Sequence, residues 1–415
     1  MAKAIDIGTS FIVGAEIKDG REVFTTERDA FFSMPKEDFA EEMLNDAGAY
    51  YITKADQIYV VGEDALKFAM LTANQKAYRR PMAKGVLNPG EEEAISMLEL
   101  LIEGIIGHAS FPGEVCAATC PAEPIDQPAD ITFHRILIER CLKRLGYEPK
   151  ILNEALAIVF HENPTAETSE GEAVPFTGVG VSFGAGMTNL VVAWRAKKLF
   201  EMSVARGGDW IDEHVAAVRG TNASKVCSIK EKKLDLRRIE PRDSIQVALE
   251  IYHEDLIRYT LQQFGERFRT SESVIDEPLE WVVGGGTAMV PGFIEKLKAQ
   301  IANMDLPFPV KGVRLAPDPL KCVAAGALVA AISYEKKRGK KDDEEVPLPP
   351  AERLGHRSES SESPAPLFRT AAAARAAAAA GAGAGAPDND GAQARTSGNG
   401  QADARKAAGE KPRLK

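Results

Sequence analysis

The sequence predicts an α/β protein built from two similar lobes around a cleft. Two short glycine-containing turns support this prediction, Asp6-Ile7-Gly8-Thr9-Ser10 near the start of the chain and Ser182-Phe183-Gly184-Ala185-Gly186-Met187-Thr188 near its middle. Each turn lies between two apolar segments, which is the pattern of a β-hairpin with a tight turn. In both halves, alternating strand and helix patterns follow the hairpin, so we expect a duplicated domain, although sequence identity between the halves is slight.

The elements of the first half follow from apolar periodicity and from glycines that end helices. After the hairpin of residues 3–7 and 11–17, the predicted elements are strand 57–61, helix 63–70, helix 91–106, strand 115–119, helix 131–145, strand 150–152 and a helix from Asn153-Glu154.

The second half repeats this plan. Its predicted elements are hairpin 178–194, strand 199–204, helices 210–218 and 243–264, strand 281–283, helix 291–303 and helix 320–332. The mixed-charge segment 225–238 is expected to be a solvated helix face.

Composition limits the class of protein. The chain has 415 residues, a net charge of −10 and a pI near 5.4, which disfavours binding to nucleic acid or to anionic membranes. Met1-Ala2-Lys3 leads directly into a strand, and no apolar run is long enough to span a bilayer. Five cysteines fit a reducing compartment. We therefore expect a cytoplasmic protein whose contact with membranes, if it has any, is indirect.

A change in composition after Tyr334 divides the chain. We expect a first lobe at 1–155, a second lobe at 156–335 whose last helix packs back on the first, and a disordered tail at 336–415. The tail has few aromatic or β-branched residues, so it cannot offset the entropy of folding. Its expected role is to bind protein partners.

The glycine turns indicate a phosphate site. Exposed backbone N–H groups at such turns form anion-binding concavities, and glycine allows close approach. A third cluster, Gly284-Gly285-Gly286-Thr287, follows strand 281–283 and precedes a helix that begins at Pro291. Glycines at the carboxyl end of a strand allow a ligand to lie on the backbone.

The order of these motifs resembles the actin, heat-shock chaperone and sugar kinase superfamily, and within it the bacterial actin-like proteins of the MreB type. The resemblance covers residues 3–333. Three more segments are similar to that branch, Tyr59-Val60-Val61-Gly62-Glu63-Asp64-Ala65, Arg80-Pro81-Met82-Ala83-Lys84-Gly85-Val86 and Arg206-Gly207-Gly208-Asp209-Trp210-Ile211-Asp212.

The resemblance implies binding of ATP with Mg²⁺, and it assigns roles to individual residues. Asp6 would orient Mg²⁺, and Glu154 would position the attacking water. The residues implied in nucleotide binding are Gly8, Thr9, Ser10, Gly184, Ala185, Gly186, Met187 and Thr188 at the phosphates, and Gly207, Gly208, Asp209, Gly284, Gly285, Gly286 and Thr287 at the nucleoside. Phosphoryl transfer depends mainly on charge neutralisation and an in-line water, which these residue types supply.

Ser182 departs from the family pattern, which has Asp at this position. Loss of a charge beside the metal changes rates by about 10²–10³ in comparable sites. Three interpretations remain open: a slow ATPase in which Ser182 holds a metal-bound water, a nucleotide-binding protein that has largely lost hydrolysis, and a protein that no longer binds nucleotide.

The resemblance implies a cytoskeletal or scaffold protein that self-associates into filaments. Residues 213–280 have little strand-like sequence where MreB-type proteins carry extra hairpins, which argues against the usual double-stranded filament. The alternatives are a non-polymerising adaptor of a membrane or division assembly and a phosphotransferase of the same fold. The sequence contains no recognisable sugar-binding Asp motif, which argues against the phosphotransferase. A chaperone would need a substrate-binding domain after the ATPase, and the expected disordered tail occupies that place.

Overall fold

The computed structural model describes residues 2–71, 78–162, 166–167, 173–271 and 273–344. Its strands are β1 Lys3–Ile7, β2 Phe11–Lys18, β3 Arg21–Arg28, β4 Phe31–Pro35, β5 Tyr51–Lys54, β6 Gln57–Val61, β7 Tyr78–Arg79, β8 Met82–Ala83, β9 Val86–Leu87, β10 Val115–Cys120, β11 Glu148–Asn153, β12 Ala166–Glu167, β13 Ala173–Val174, β14 Gly178–Phe183, β15 Thr188–Trp194, β16 Lys197–Val204, β17 Leu279–Gly284 and β18 Val310–Leu315.

The helices alternate with these strands. They are α1 Asp38–Asp46, α2 Glu63–Leu71, α3 Ala94–Ile106, α4 Ile131–Arg144, α5 Glu154–His161, α6 Gly208–Arg219, α7 Ala223–Lys233, α8 Ser244–Arg269, α9 Phe293–Ala302 and α10 Cys322–Glu344, with a short 3₁₀ helix at Gly286–Met289. None of the described helices is both long and apolar enough to cross a bilayer.

Two five-stranded sheets show that the domain is duplicated. The strand order is β3-β2-β1-β10-β11 in the first sheet and β16-β15-β14-β17-β18 in the second. In each sheet, the first three strands are antiparallel neighbours and the last two are parallel additions. The predicted duplicated α/β fold is therefore confirmed, and β1 corresponds to β14.

Two central helices pack against each other between the sheets. Gly326 of α10 makes this contact possible, since a Cβ there would lie 1.7 Å from the carbonyl oxygen of Ala157 in α5. The alanine-rich face of α10 also covers β1, β2 and β10 of the first sheet, where Ala327 and Leu328 are fully buried. The last helix thus packs on the first lobe.

The last helix is longer than the sequence predicted. Helix α10 continues beyond residue 335, the predicted end of the second lobe, to Glu344. Arg338 anchors it, because its Nη1 donates to the carbonyl oxygen of Gly113 and to Glu148, both at 2.7 Å. The rest of the predicted tail, 345–415, lies outside the described residues.

The sequence prediction also missed several elements of the first lobe, among them β3 and three strands of a four-stranded sheet of order β5-β6-β4-β7, in which only β6 was predicted. Strand β3 is charged and largely exposed, so it lacks the apolar alternation that reveals a strand. Between α6 and β17, the described residues form the helices α7 and α8 and no strand, as the composition of this segment suggested.

Candidate functional site: the cleft between the lobes

The two glycine turns have the same internal geometry. The Gly8 N–H donates to the carbonyl oxygen of Phe11 at 3.1 Å, and the Gly184 N–H donates to that of Met187 at 2.9 Å. Each turn therefore spans four residues at the tip of equivalent hairpins, β1–β2 and β14–β15. In this alignment Asp6 and Ser182 occupy the same position, two residues before the glycine.

Both turns line one cleft of about 350 Å³. This volume is within the ordinary range for small-molecule sites. Fifteen of the predicted site residues line the cleft: Asp6, Gly8, Thr9, Ser10, Glu154, Ser182, Gly184, Ala185, Gly186, Met187, Gly208, Asp209, Gly285, Gly286 and Thr287.

Three predicted residues lie behind the cleft wall and serve its construction. Thr188 donates its hydroxyl to the carbonyl oxygen of Arg206 at 2.9 Å. A Cβ at Gly207 would lie 2.4 Å from the carbonyl oxygen of Ala185, and one at Gly284 would lie 2.5 Å from the Cys322 sulfur. Their small size allows close packing of the wall, and we assign them no ligand contact.

Gly186 and Gly285 are required by packing as well. A Cβ at Gly186 would lie 2.3 Å from the backbone nitrogen of Gly85, so the second turn can touch the first lobe. Gly285 has φ +90°, and a Cβ there would lie 2.3 Å from the carbonyl oxygen of Phe183. Gly286, by contrast, faces open space, so the backbone there is accessible from the cleft.

Two carboxylates lie at the floor of the cleft. Oδ1 of Asp6 accepts a hydrogen bond from the Thr119 hydroxyl at 2.5 Å, and Oε2 of Glu154 accepts one from Nδ2 of Asn189 at 2.8 Å. Burial raises the pKa of both groups above their ordinary values, and the nearby charge of Asp6 adds to the effect on Glu154. Two partly buried acids in one cleft favour a cation beside them.

The start of α5 places Glu154. Its N-cap is Asn153, whose Oδ1 accepts from the N–H groups of Ala155 and Leu156 at 2.9 and 3.2 Å. This cap ends β11 and starts the helix in one step, so Glu154 emerges at the carboxyl edge of the first sheet.

A segment of the first lobe closes against the second. Within the first lobe, the Gly85 N–H donates to Oγ1 of Thr9 at 3.0 Å and holds the segment on the first turn. Across to the second lobe, Arg80 pairs with Asp209. Arg80 therefore joins a predicted site residue of the second lobe to the first turn, since its Nη1 also lies 3.3 Å from the Ser10 hydroxyl.

The sequence analysis missed the contribution of α7 to the cleft. Lys230 is 8% exposed and donates to Oδ2 of Asp212 at 2.6 Å and to the carbonyl oxygen of Gly208 at 2.8 Å. Cys227 and Glu231 of the same helix also line the cleft. The expected solvated helix face at 225–238 is thus wrong at Lys230, because the surrounding charged residues hid the one lysine that turns inward.

Comparisons with known proteins identify a family and a fold for the chain. A family model described as Volactin matches residues 1–331. Among solved structures, the MamK double helical filament has a TM-score of 0.56 and 16% identity, with 84% of this chain and 100% of that chain covered. MreB5 of Spiroplasma citri bound to AMPPNP has a TM-score of 0.57 and 14% identity, covering 82% and 99%.

MreB5 bound to ADP matches similarly, with a TM-score of 0.52, 15% identity and coverage of 83% and 98%. No curated protein shows significant similarity to the chain. At these identities the likeness to solved structures establishes the fold, so the predicted actin-like fold of the MreB type is confirmed.

Proposed function

The chain belongs to the Volactin family, and we propose on this premise that it is an ATP-binding, actin-like cytoskeletal or scaffold protein with slow ATP hydrolysis. One observation carries the proposal: two geometrically equivalent turns, Gly8–Phe11 and Gly184–Met187, face the same cleft from opposite lobes. Each turn offers backbone N–H groups, and such concavities favour phosphate oxygens. A polyphosphate held between them would tie the lobes together.

The acidic floor suits Mg²⁺. Among the residues that the structure describes, no group of three or more His, Cys, Asp or Glu side chains is placed to hold a metal ion. Mg²⁺ needs no such cage, since it keeps several waters and takes one or two carboxylates together with substrate phosphates. Asp6 is the residue that would hold it, and the ion would neutralise phosphate charge during transfer.

The nucleoside would lie beside the third glycine cluster and α7. Gly286 presents accessible backbone there, and Lys230, Glu231 and Asp209 supply polar groups. Lys230 keeps its position through its bonds to Asp212 and Gly208, so it would meet a ligand as part of a rigid wall.

Glu154 is the candidate to position the attacking water. Its carboxylate is fixed by Asn189 and lies in the same cleft as both turns. Ser182 supplies a neutral hydroxyl where the equivalent residue of the first turn, Asp6, is a carboxylate. With only one acid to organise the metal and its waters, hydrolysis should be slow.

Filament formation is the proposed use of the nucleotide. The MamK structure is described as a double helical filament, and this chain covers its whole length at a similar fold. A non-polymerising adaptor remains the alternative, and the absence of strands from the described residues between α6 and β17 is the feature that would favour it.

Thermal unfolding with ATP and Mg²⁺ tests the binding proposal. Saturation at about 100 Kd should stabilise the native state by about 2.7 kcal/mol and raise Tm. Asp6→Ala should lose most of this shift, whereas Asp305→Ala, which changes a 98% exposed aspartate in the second lobe, should keep it. Equal shifts for the wild type and Asp6→Ala, or none for the wild type, would refute the site.

Electron microscopy and sedimentation with and without ATP–Mg²⁺ test assembly. Filaments that depend on nucleotide support the cytoskeletal proposal. A protein that binds ATP and stays monomeric at all concentrations tested is an adaptor.

A further inference from the structure

A row of three buried polar residues crosses the second sheet. Asn189 of β15 pairs in register with Ser182 of β14 on one side and Ser203 of β16 on the other. Their exposures are 1%, 3% and 0%. Buried polar groups in a sheet interior need partners, so such a row calls for a specific reason.

The hydrogen bonds run in one direction along this row. The Ser203 hydroxyl donates to Oδ1 of Asn189, and Nδ2 of Asn189 donates to Oε2 of Glu154 at 2.8 Å. Because an ionised carboxylate only accepts, the amide must present its NH₂ group to Glu154, which leaves Oδ1 to accept from the Ser203 hydroxyl. Ser203 thus braces Asn189 in this orientation.

Glycine lets the helix come within reach of the row. A Cβ at Gly180 of β14 would lie 2.6 Å from the carbonyl oxygen of Ala155 and 3.3 Å from Val159. Helix α5 therefore packs directly on this face of the sheet. Its first residue, Glu154, then lies within hydrogen-bonding distance of β15.

The far end of the row is anchored to the first lobe. The Ile125 N–H donates to the carbonyl oxygen of Ser203 at 2.9 Å, and the Ala205 N–H donates to Oδ1 of Asp126 at 2.8 Å. The Tyr259 hydroxyl also donates to Asp126, at 3.1 Å. These bonds hold the end of β16, and therefore Ser203, in place.

We propose that Asn189, braced by Ser203, is the positioning residue for Glu154 and holds its carboxylate toward the cleft for the attacking water. This inference rests on the proposed ATPase function and deepens it. A donor to one carboxylate oxygen restricts rotation of the side chain and favours the ionised form, which leaves the other oxygen to accept from water. Asn189 itself touches no ligand in this scheme.

The surroundings of Glu154 otherwise raise its pKa, opposite to the effect of Asn189. Asp6 is the nearby acid, and its charge raises the pKa of Glu154, as does burial. The Cys120 thiol is also close, and burial raises its pKa so that it stays neutral. Asn189 is therefore the group whose hydrogen bond lowers the pKa of Glu154.

The first test needs no nucleotide. The pH dependence of stability is compared between proteins with Glu154 and with Glu154→Gln, from about pH 5 to about pH 9, since this difference reports the pKa of Glu154. Asn189→Leu, similar in volume, should raise that pKa by about one unit, and Ser203→Ala should raise it less. Thr260→Val is the matched control, because it removes another buried hydroxyl of the second lobe.

The second test measures ATP. Asn189→Leu should bind ATP–Mg²⁺ within about threefold of the wild type but release phosphate at least about tenfold more slowly in single turnovers. The rise of its rate with pH should move to higher pH by the same amount as the pKa. Thr260→Val should match the wild type in both measurements.

The outcomes separate the two proposals. A wild type without an ATP–Mg²⁺ shift refutes the proposed function, while the pKa measurement still decides whether Asn189 controls Glu154. A folded Asn189→Leu protein with an unchanged Glu154 pKa, or with a raised pKa and wild-type turnover, overturns the positioning role.

Discussion

Arg80 and Asp209 join the two lobes beside the cleft, with Nη2 of Arg80 2.9 Å from Oδ2 of Asp209. Arg80 comes from the segment before β8, and Asp209 lies in the first turn of α6. Asp209 lines the cleft, so we expect the pair that holds it to affect nucleotide exchange more than stability.

Arg80→Ala should therefore speed nucleotide release. Both side chains are partly exposed, at 31% and 21%, so the pair contributes about 0.5–1 kcal/mol, which corresponds to a two- to fivefold faster dissociation. Stopped-flow displacement of a fluorescent ATP analogue measures the rate. Lys67→Ala, which removes the exposed pair with Asp64 on α2, should leave it unchanged. Identical rates for Arg80→Ala and the wild type would show that the pair does not gate the cleft.

Ser182→Asp should increase ATP turnover. The substitution places a second carboxylate at the position equivalent to Asp6. Single groups of this kind change rates by about 10²–10³. Phosphate release at saturating ATP–Mg²⁺ checks this, and adding Glu154→Ala should abolish the gain. A wild type already as fast as the Ser182→Asp protein would mean that Ser182 is a competent ligand.

Removal of residues 345–415 should not change the cooperative unfolding of the remaining chain. Composition predicts that this segment adds little to a core. A chain that ends at Tyr334 should be less stable by about 1 kcal/mol, because it also loses the contacts of Arg338 with Gly113 and Glu148. Thermal unfolding of both truncations, with Arg338→Ala in the full chain for comparison, tests this. Equal Tm values for the two truncations would refute the role of Arg338.

The stability that two buried histidines contribute should be lost as the pH drops from about 6.5 toward 4, against the opposite contribution of buried acids such as Asp6 and Glu154. Burial lowers the pKa of His134 and of His253 to about 4, so both are neutral in the native state and must gain a proton on unfolding. A lowered native pKa of a base gives stability that is present above the unfolded pKa and is lost below it. Each histidine contributes up to about 3 kcal/mol to this change, at 1.36 kcal/mol per pKa unit.

His134→Leu isolates one of these contributions, since neither ring nitrogen of His134 has a hydrogen-bond partner among the described residues. Denaturant unfolding at about pH 7 and at about pH 4.5 should show that the variant gains stability relative to the wild type at the lower pH, because it has lost the histidine that must be protonated on unfolding. A parallel pH dependence of the two proteins would mean that His134 titrates normally.

Much of this protein follows from the sequence alone. The duplicated hairpins and the glycine-rich turns were predicted, because a tight turn between two strands imposes local backbone requirements that only a few residue types meet. The roles of Asp6, Glu154 and Ser182 came from the resemblance to actin-like proteins and stay predictions, although all three residues line the cleft. Local signals likewise predict two other elements. The apolar pattern of residues 57–61 indicates a strand, and the Asn153 N-cap marks the helix that begins at Glu154.

The tertiary structure decided what distant segments do to each other. Three contacts join residues that lie far apart in the sequence: Lys230 with Asp212, Arg80 with Asp209, and Asn189 with Glu154. They are separated by 18, 129 and 35 positions. The bond between Asn189 and Ser203 joins neighbouring strands. No local pattern marks such residues, because their burial and partners depend on how α7 packs against α6 and α5 against the sheet. Glycine at 180 and at 186 shows the same limit: the sequence indicates a flexible backbone, but only packing shows that a helix and a neighbouring lobe occupy the space of the missing side chains.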